Sequence, residues 1–330
     1  MSSKPIGITM GDSSGVGPEI LLQAARQGRI PGRYVVFGDL TPLAMLNQQL
    51  GLSLNLAAID RAEQWQDGRV NVIDAGLLRV ADVTPGRLNA QSGSAARAYV
   101  VQATKAALAQ EVSGIVTLPM NKEATQLSDP RFTGHTELIG ELCGSDDVTI
   151  MLASPDLIVT HVSTHCSLRE AIDRCRRERI AKIIELTWFA VRRLQPDARI
   201  AVAGLNPHAG ENGLFGREEI EEIAPAVAEA RSRGWLVEGP LPPDTLFYLA
   251  VRRKKYDAIV CMYHDQGHIP SKLLDFEGGV NIALGLPIIR TSVDHGTAFD
   301  IAWKGVASTR SFEAALEMAA RLSASVPESR

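Results

Sequence analysis

Three of the seven histidines stand in one kind of setting. His165 follows LIVTHVST, His208 follows RIAVAGLNP and His264 follows AIVCMY, so each lies one to five residues beyond an apolar run that reads as a buried strand. In a parallel sheet the carboxyl ends of the strands share one edge, so the three imidazoles can converge. Three neutral imidazoles with an open fourth position make a catalytic site for a divalent metal. The plainer alternative is three loop histidines, each with its own hydrogen bond. The matched settings, followed by Cys-Ser, Ala-Gly-Glu and Asp-Gln-Gly, favour a common site. His161 precedes His165 by the four residues of a helical zinc pair, but its β-branched surroundings read as strand and set it aside.

The segment from Tyr263 to Gly305 packs His264, Asp265, His268, Lys272, Arg290, Asp294, His295 and Asp300 among many glycines. It follows an apolar strand, where chemistry in α/β proteins gathers, and reads as half of an active site. A second polar turn, Thr133-Gly134-His135-Thr136-Glu137, opens the helix LIGELCG. Its backbone donors, hydroxyl and imidazole suit an anion, and an ordinary helix cap would use the same amides. A third turn, Gly11 to Glu19 (GDSSGVGPE), is neither a GxGxxG fingerprint nor a P-loop. It reads as strand-to-helix punctuation, with a ligand loop as the alternative. The charge runs Arg169 to Arg179 and Arg252 to Lys255 read as solvated helix faces rather than phosphate patches.

These turns hang on an alternation of elements. Strands are expected at Pro5 to Met10, Tyr34 to Phe37, Val70 to Ile73 and Gly114 to Leu118, with an alanine-rich helix from about Ser94 to Gln110. A second run covers Val148 to Leu152, Leu157 to Val162, Arg199 to Ala203 and Ala258 to Met262, before an amphipathic helix from Ser311 to Leu322 and a polar tail. Such alternation predicts an α/β fold with mainly parallel sheets covered on both faces, and the loop Ser128 to Thr133 is the candidate crossing between domains. The chain has 330 residues, enough for two such domains or one large unit. A net charge of -4 gives no basic footprint for nucleic acid. Four cysteines without CxxC spacing read as free thiols of a reducing compartment. With no apolar leader or membrane span, a cytoplasmic protein without a membrane partner is expected.

The motifs GDSSGVGPE, TGHTE, NPHAGENG, HDQG and GVNIALGLPIIRTSVDHGTA, in this order and spacing, resemble the 4-hydroxythreonine-4-phosphate dehydrogenase family from Ile8 to about Gly305. The resemblance implies two α/β domains and a homodimer whose active site lies in an interdomain cleft at the dimer interface. It also implies a divalent metal (Zn, Mg, Mn or Co) held by three histidines drawn from both subunits, with NAD or NADP as oxidant. Carried over, the metal ligands are His165, His208 and His264, and the substrate meets His135, Thr136, Lys272, Asn281 and Arg290. A more distant likeness to isocitrate and isopropylmalate dehydrogenases covers GDSSGVGPE and the loop His295 to Gly305. It implies a nucleotide site at Asp294, His295, Gly296, Thr297, Ala298, Asp300 and Ile301. The expected domains are then residues 1–128 with about 290–330 on the nucleotide side, and about 129–289 for metal, substrate and dimerisation.

The implied reaction is oxidative decarboxylation of a 4-phosphorylated β-hydroxy acid, with the divalent metal assisting both steps. Asp265, Lys272 and His135 are the candidate acid and base; Asp265 can instead orient His264. Ser13-Ser14, Asn212 to Gly216 and His268-Ile269-Pro270 depart from the vitamin-pathway pattern and resemble the branch acting on D-threonate or D-erythronate 4-phosphate. The alternatives are 4-hydroxy-L-threonine 4-phosphate as substrate, a cis-diol dehydrogenase, and a non-catalytic metal-binding relative.

Overall fold

The computed structural model describes residues 4–324, which form two compact α/β units. The first comprises the chain up to Val148 together with Leu286–Ala324, and the second is Thr149–Gly285.

In the first unit the chain runs β1 (Ile6–Thr9), α1 (Gly17–Arg26), β2 (Tyr34–Gly38), α2 (Leu40–Gln49), β3 (Leu56–Ile59), β4 (Val70–Asp74), α3 (Ala90–Leu108), β5 (Ile115–Thr117), α4 (Lys122–Gln126) and α5 (His135–Cys143). The second unit holds β6 (Thr149–Ala153), β7 (Ile158–His161), α6 (Leu168–Arg174), α7 (Arg177–Leu194), β8 (Ile200–Ala203), α8 (Ala224–Ser232), β9 (Val237–Leu241), α9 (Pro243–Val251), β10 (Ala258–Cys261), α10 (His264–Leu274) and β11 (Val280–Leu284). The chain then returns to the first unit with β12 (Arg290–Val293) and α11 (Arg310–Ala324).

The strands of the first unit lie in the order β3-β4-β2-β1-β5-β12, all parallel. Ile8, Val35, Val36, Ile115 and Val116 are buried, as continuous apolar strands covered on both faces require. The alanine-rich helix α3 starts earlier than the pattern suggested. Asn89 caps it, its side chain accepting from the Gln91 and Ser92 amides.

In the second unit the order is β11-β6-β7-β10-β8-β9. The two faces of its sheet divide by the strand period. Val202 and Val260 join Ile180, Ile184 and Trp188 of α7, while Ala201 and Ile259 join Leu246 and Ala250 of α9. Strands β7, β10 and β8 are parallel neighbours, so the segments that carry His165, His264 and His208 leave the sheet at the same edge. The pairs β11–β6 and β6–β7 are antiparallel. The turn between β6 and β7 is too short for a crossover, and Ser154 closes it through its amide on the Leu157 carbonyl at 3.0 Å.

One expectation needs correction. The crossing between units falls after Val148, not near residue 128, because α5 packs on α3 and stays with the first sheet. The start of the Tyr263–Gly305 segment is a helix, α10, although Gly267 and Pro270 would ordinarily break one. Residues 325–330, placed in the nucleotide-side domain, lie outside the described residues.

Candidate active site

Strand β10 ends at Cys261, and after two intervening residues α10 begins on His264. The junction is held by buried Gln266. Its Oε1 accepts the Met262 amide at 2.7 Å and its Nε2 donates to the Gly204 carbonyl at 2.8 Å, tying the ends of β10 and β8 together. His264 Nδ1 meets Asp265 Oδ1 at 2.7 Å. That contact fixes the ring so that Nε2 is the nitrogen left to act as a ligand.

The His165 ring, from the segment after β7, lies 5.7 Å from the His264 ring. His268, one helical turn beyond His264, stacks on it at 3.6 Å with 9° between the planes and donates Nδ1–H to the His264 carbonyl. His161, at the end of β7, lies 4.6 Å from the His268 ring and 6.4 Å from that of His264. It is buried, and neither ring nitrogen has a hydrogen-bond partner. Burial, then the nearby His268 and His264, push its pKa down to about 3, against a small opposing effect of the His264 carbonyl. Ser163, Thr164, His165, Cys166, Tyr263 and His264 line a cavity of about 470 Å3.

His208 stands apart from this group, its ring 6.3 Å from that of Phe215. Among the described residues, no three His, Cys, Asp or Glu side chains come close enough together to hold one ion. The expected convergence of three histidines within one chain is therefore corrected to two, His165 and His264. The edge is shared, but the turn after β8 carries His208 elsewhere. The donor chemistry nevertheless fits a divalent metal, with exposed imidazoles and one of them oriented by a carboxylate.

The first unit assembles a different group of polar side chains. Arg290 opens β12 and is buried, with Nε and Nη2 donating to Thr117 Oγ1 at 3.2 and 2.8 Å. Burial pulls its pKa down to about 10, opposed by the Glu137 charge. His135, the first residue of α5, has a covered Nε2 without a partner. Burial, then the Arg290 charge, hold its pKa near 3, with the Leu118 carbonyl opposing. A buried cation whose hydrogen bonds go to a hydroxyl, beside a neutral imidazole, is an arrangement that suits an anion. Thr136 follows His135 on the same first turn of α5. Lys272 and Asn281 belong to the second unit, on α10 and β11.

The segment from Asp294 to Ile301 rests on the glycine-rich turn. The Thr297 carbonyl accepts the Val16 amide at 3.0 Å, Trp303 Nε1 donates to the Ser13 carbonyl at 3.0 Å, and the Ala307 amide donates to Glu19 Oε1 at 2.8 Å. A Cβ on Gly15 would lie 2.9 Å from the Thr297 carbonyl oxygen. Asp12, Ser13 and Ser14 are buried, Asp12 accepting the Ser14 amide and the Ser92 hydroxyl. The turn is thus an inner support for the loop. His295, Gly296 and Asp300 remain exposed on the loop, while Thr297 is buried.

Four residues of this architecture carried no assignment from sequence. His161 was excluded as a helical partner of His165, correctly as to geometry, yet it belongs to the imidazole cluster. The four-residue spacing of His264 and His268 was a usable signal once α10 was known. Gln266, and Glu219 ahead of α8, whose Oε1 accepts the Leu205 and Asn206 amides, act on backbone groups, which leaves no side-chain pattern to find.

The family model for the pyridoxal phosphate biosynthetic protein PdxA matches residues 32–319. A D-threonate 4-phosphate dehydrogenase of Salmonella typhimurium is 45% identical over 98% of this chain and 100% of its own length. A 4-hydroxythreonine-4-phosphate dehydrogenase of Beijerinckia indica is 43% identical over 99% and 97%. Among solved structures, a 4-hydroxythreonine-4-phosphate dehydrogenase from Klebsiella pneumoniae superposes with a TM-score of 0.88 at 44% identity, over 97% of this chain and 100% of that one. A terephthalate 1,2-cis-dihydrodiol dehydrogenase from Burkholderia xenovorans gives 0.71 at 28%, over 96% and 97%. The class is that of dehydrogenases acting on a CH–OH group, with NAD(P) and a divalent metal as the general requirements. Within it, the chain belongs to the PdxA family. No helix among the described residues is long and apolar enough to cross a membrane.

Proposed function

We propose that this enzyme oxidises and decarboxylates a four-carbon β-hydroxy acid carrying a 4-phosphate, D-threonate or D-erythronate 4-phosphate, at the expense of NAD or NADP. The observation that carries the reading is buried Arg290 beside neutral His135, a guanidinium hydrogen-bonded to the Thr117 hydroxyl alone among the described residues. The resemblance to D-threonate 4-phosphate dehydrogenases over the whole chain supports the choice of acid. The relative named for 4-hydroxythreonine 4-phosphate keeps that amine-bearing substrate as the second reading.

On this reading Arg290 clasps the phosphate or carboxylate with charge-assisted bonds, and Thr136 and the α5 amides complete the cradle. His135 Nε2, covered and neutral, accepts a substrate hydroxyl. Lys272 and Asn281 make the remaining substrate contacts. Hydride leaves the alcohol carbon for the nicotinamide held by the Asp294–Ile301 loop, while the alcohol proton passes to a base. The bond to the carboxylate then breaks, carbon dioxide departs, and its electron pair enters the ketone before a proton returns. Asp265 already engages His264 Nδ1, so we assign it to orienting that ring and leave Lys272 and His135 to carry protons. His165, His208 and His264 would hold a divalent ion (Zn, Mg, Mn or Co), which when bound polarises the substrate oxygens.

We further propose a cytoplasmic homodimer with a shared active site, His208 joining His165 and His264 of the partner. The separation of His208 from the other two supports this. So do the exposed apolar side chains Leu214, Ile269, Leu273 and Phe276, which lie on the His208 turn, on α10 and just beyond it.

The test is NAD and NADP reduction with 4-hydroxythreonine 4-phosphate, D-threonate 4-phosphate, D-erythronate 4-phosphate and an unphosphorylated diol, each with and without chelator. Turnover confined to the two sugar-acid phosphates and abolished by chelator is expected. Equal rates with the unphosphorylated diol would remove the phosphate role, and activity that survives chelation would remove the metal.

A further inference from the structure

The turn that carries His208 has a backbone few sequences tolerate. His208, Ala209, Gly210, Glu211 and Asn212 all lie in the left-handed region, with φ of 54°, 54°, 81°, 43° and 54°. Four of the five are not glycine, and residues with a Cβ rarely adopt this conformation. A run of this kind persists only when its surroundings enforce it.

The enforcing group is Glu219. It is buried at 3% exposure and begins a π-helical turn, Glu219–Ile223, ahead of α8. Its Oε1 accepts the successive amides of Leu205 and Asn206 at 2.8 and 2.7 Å, and its Oε2 accepts Asn206 Nδ2 at 2.9 Å. Two glycines make room for the carboxylate. A Cβ on Gly204 would lie 3.2 Å from Oε1, and one on Gly210 would lie 2.6 Å from Oε2. Glu219 therefore touches the entry to the turn and fills its hollow, while His208 projects from it exposed.

We propose that Glu219 is the positioning residue for His208. Its carboxylate holds the left-handed turn in the one shape that presents this imidazole to a divalent metal. The inference rests on the reading of His208 as a ligand. The same Gly204 whose neighbouring amides it binds is held through its carbonyl by Gln266, so the turn is fixed at its root from both sides.

The test is a Co2+ titration followed by visible absorption, with wild type, Glu219→Ala, Glu219→Gln, His208→Ala and the His208→Ala/Glu219→Ala double variant. Hydrogen exchange at the Leu205 and Asn206 amides is measured in parallel. Glu219→Ala should weaken Co2+ binding about 10–100-fold, the usual effect of removing a group that orients a ligand. Glu219→Gln should weaken it less, since one oxygen still accepts both amides while the other position now opposes Asn206 Nδ2. Both variants should exchange faster at the two amides, and the double variant should bind no more weakly than His208→Ala. Additive losses in the double variant, or wild-type Co2+ affinity in the Glu219 variants beside a weakened His208→Ala, would overturn the positioning role alone. Wild-type affinity in His208→Ala would overturn the ligand assignment and the positioning role with it. Should Glu219→Ala fail to fold, Glu219→Gln decides: unchanged affinity and unchanged exchange refute the proposal.

Discussion

Arg290 and His135 form a pair in which burial lowers both pKa values but leaves only the guanidinium charged, because its ordinary value is so much higher. The guanidinium stays charged even with its pKa drawn down to about 10, whereas the imidazole is held neutral at about 3. Arg290→Lys keeps a cation but loses the planar fork. It should lower kcat/KM for the phosphorylated substrate about 10–100-fold, the equivalent of about 1.5–3 kcal/mol for a charged hydrogen bond, with the loss mainly in KM. Steady-state kinetics against an unphosphorylated diol gives the control. His161 makes a separate prediction about pH. Its pKa is about 3 in the fold and 6.5 in the unfolded chain, so over that interval only the unfolded chain takes up the proton. Stability is therefore lost as pH falls below 6.5, by about 1.4 kcal/mol per unit from this residue. Urea unfolding of His161→Leu between about pH 7 and about pH 5 should show a shallower decline than wild type. His165, His208 and His264 were legible as a group because each follows an apolar run. Their actual distances were not, since the conformation of the turn after β8 depends on Glu219, eleven residues beyond His208 in the chain.

At the level of elements, α10 decides how the imidazoles meet. Gly267 lets the helix lie directly on His161, for a Cβ there would sit 2.4 Å from Nε2 and 3.0 Å from Cys261 Sγ. Gly267→Ala must push α10 away from β7 and β10. A destabilisation of about 1–3 kcal/mol is expected, typical of overpacking, together with weaker Co2+ binding as His264 moves. Thermal melts and Co2+ titration of the variant check both. Sequence patterning located β1, β2, β4 to β8 and β10 because their apolar runs are unbroken, and passed over β3, β9, β11 and β12. It concealed α10, because Gly267 and Pro270 are helix breakers by composition and the tertiary contact with His161 overrides them. It also placed α5 in the wrong unit: the loop at Ser128 to Thr133 looks like a linker, and only the packing of α5 on α3 shows otherwise.

At the level of the molecule, the proposed dimer predicts complementation. His208→Ala and His264→Ala should each be inactive alone, yet unfolding and refolding them together should restore part of the activity through hybrid dimers with one intact site. No recovery would mean that each chain builds its own site. The layout of the two units has a further consequence, for how the protein is made. The second unit is one continuous stretch, but the first is closed only when β12 pairs with β5 and when Val16, Ser13 and Glu19 receive Thr297, Trp303 and Ala307. During synthesis β5 therefore emerges early and waits, with one edge unpaired, while the whole second unit is translated. An open parallel edge is a template for other chains. A ribosome stalled between Gly285 and Arg290 should thus release a polypeptide whose second unit can be native while its first is prone to aggregate, so that nascent chains of this length should need holding chaperones.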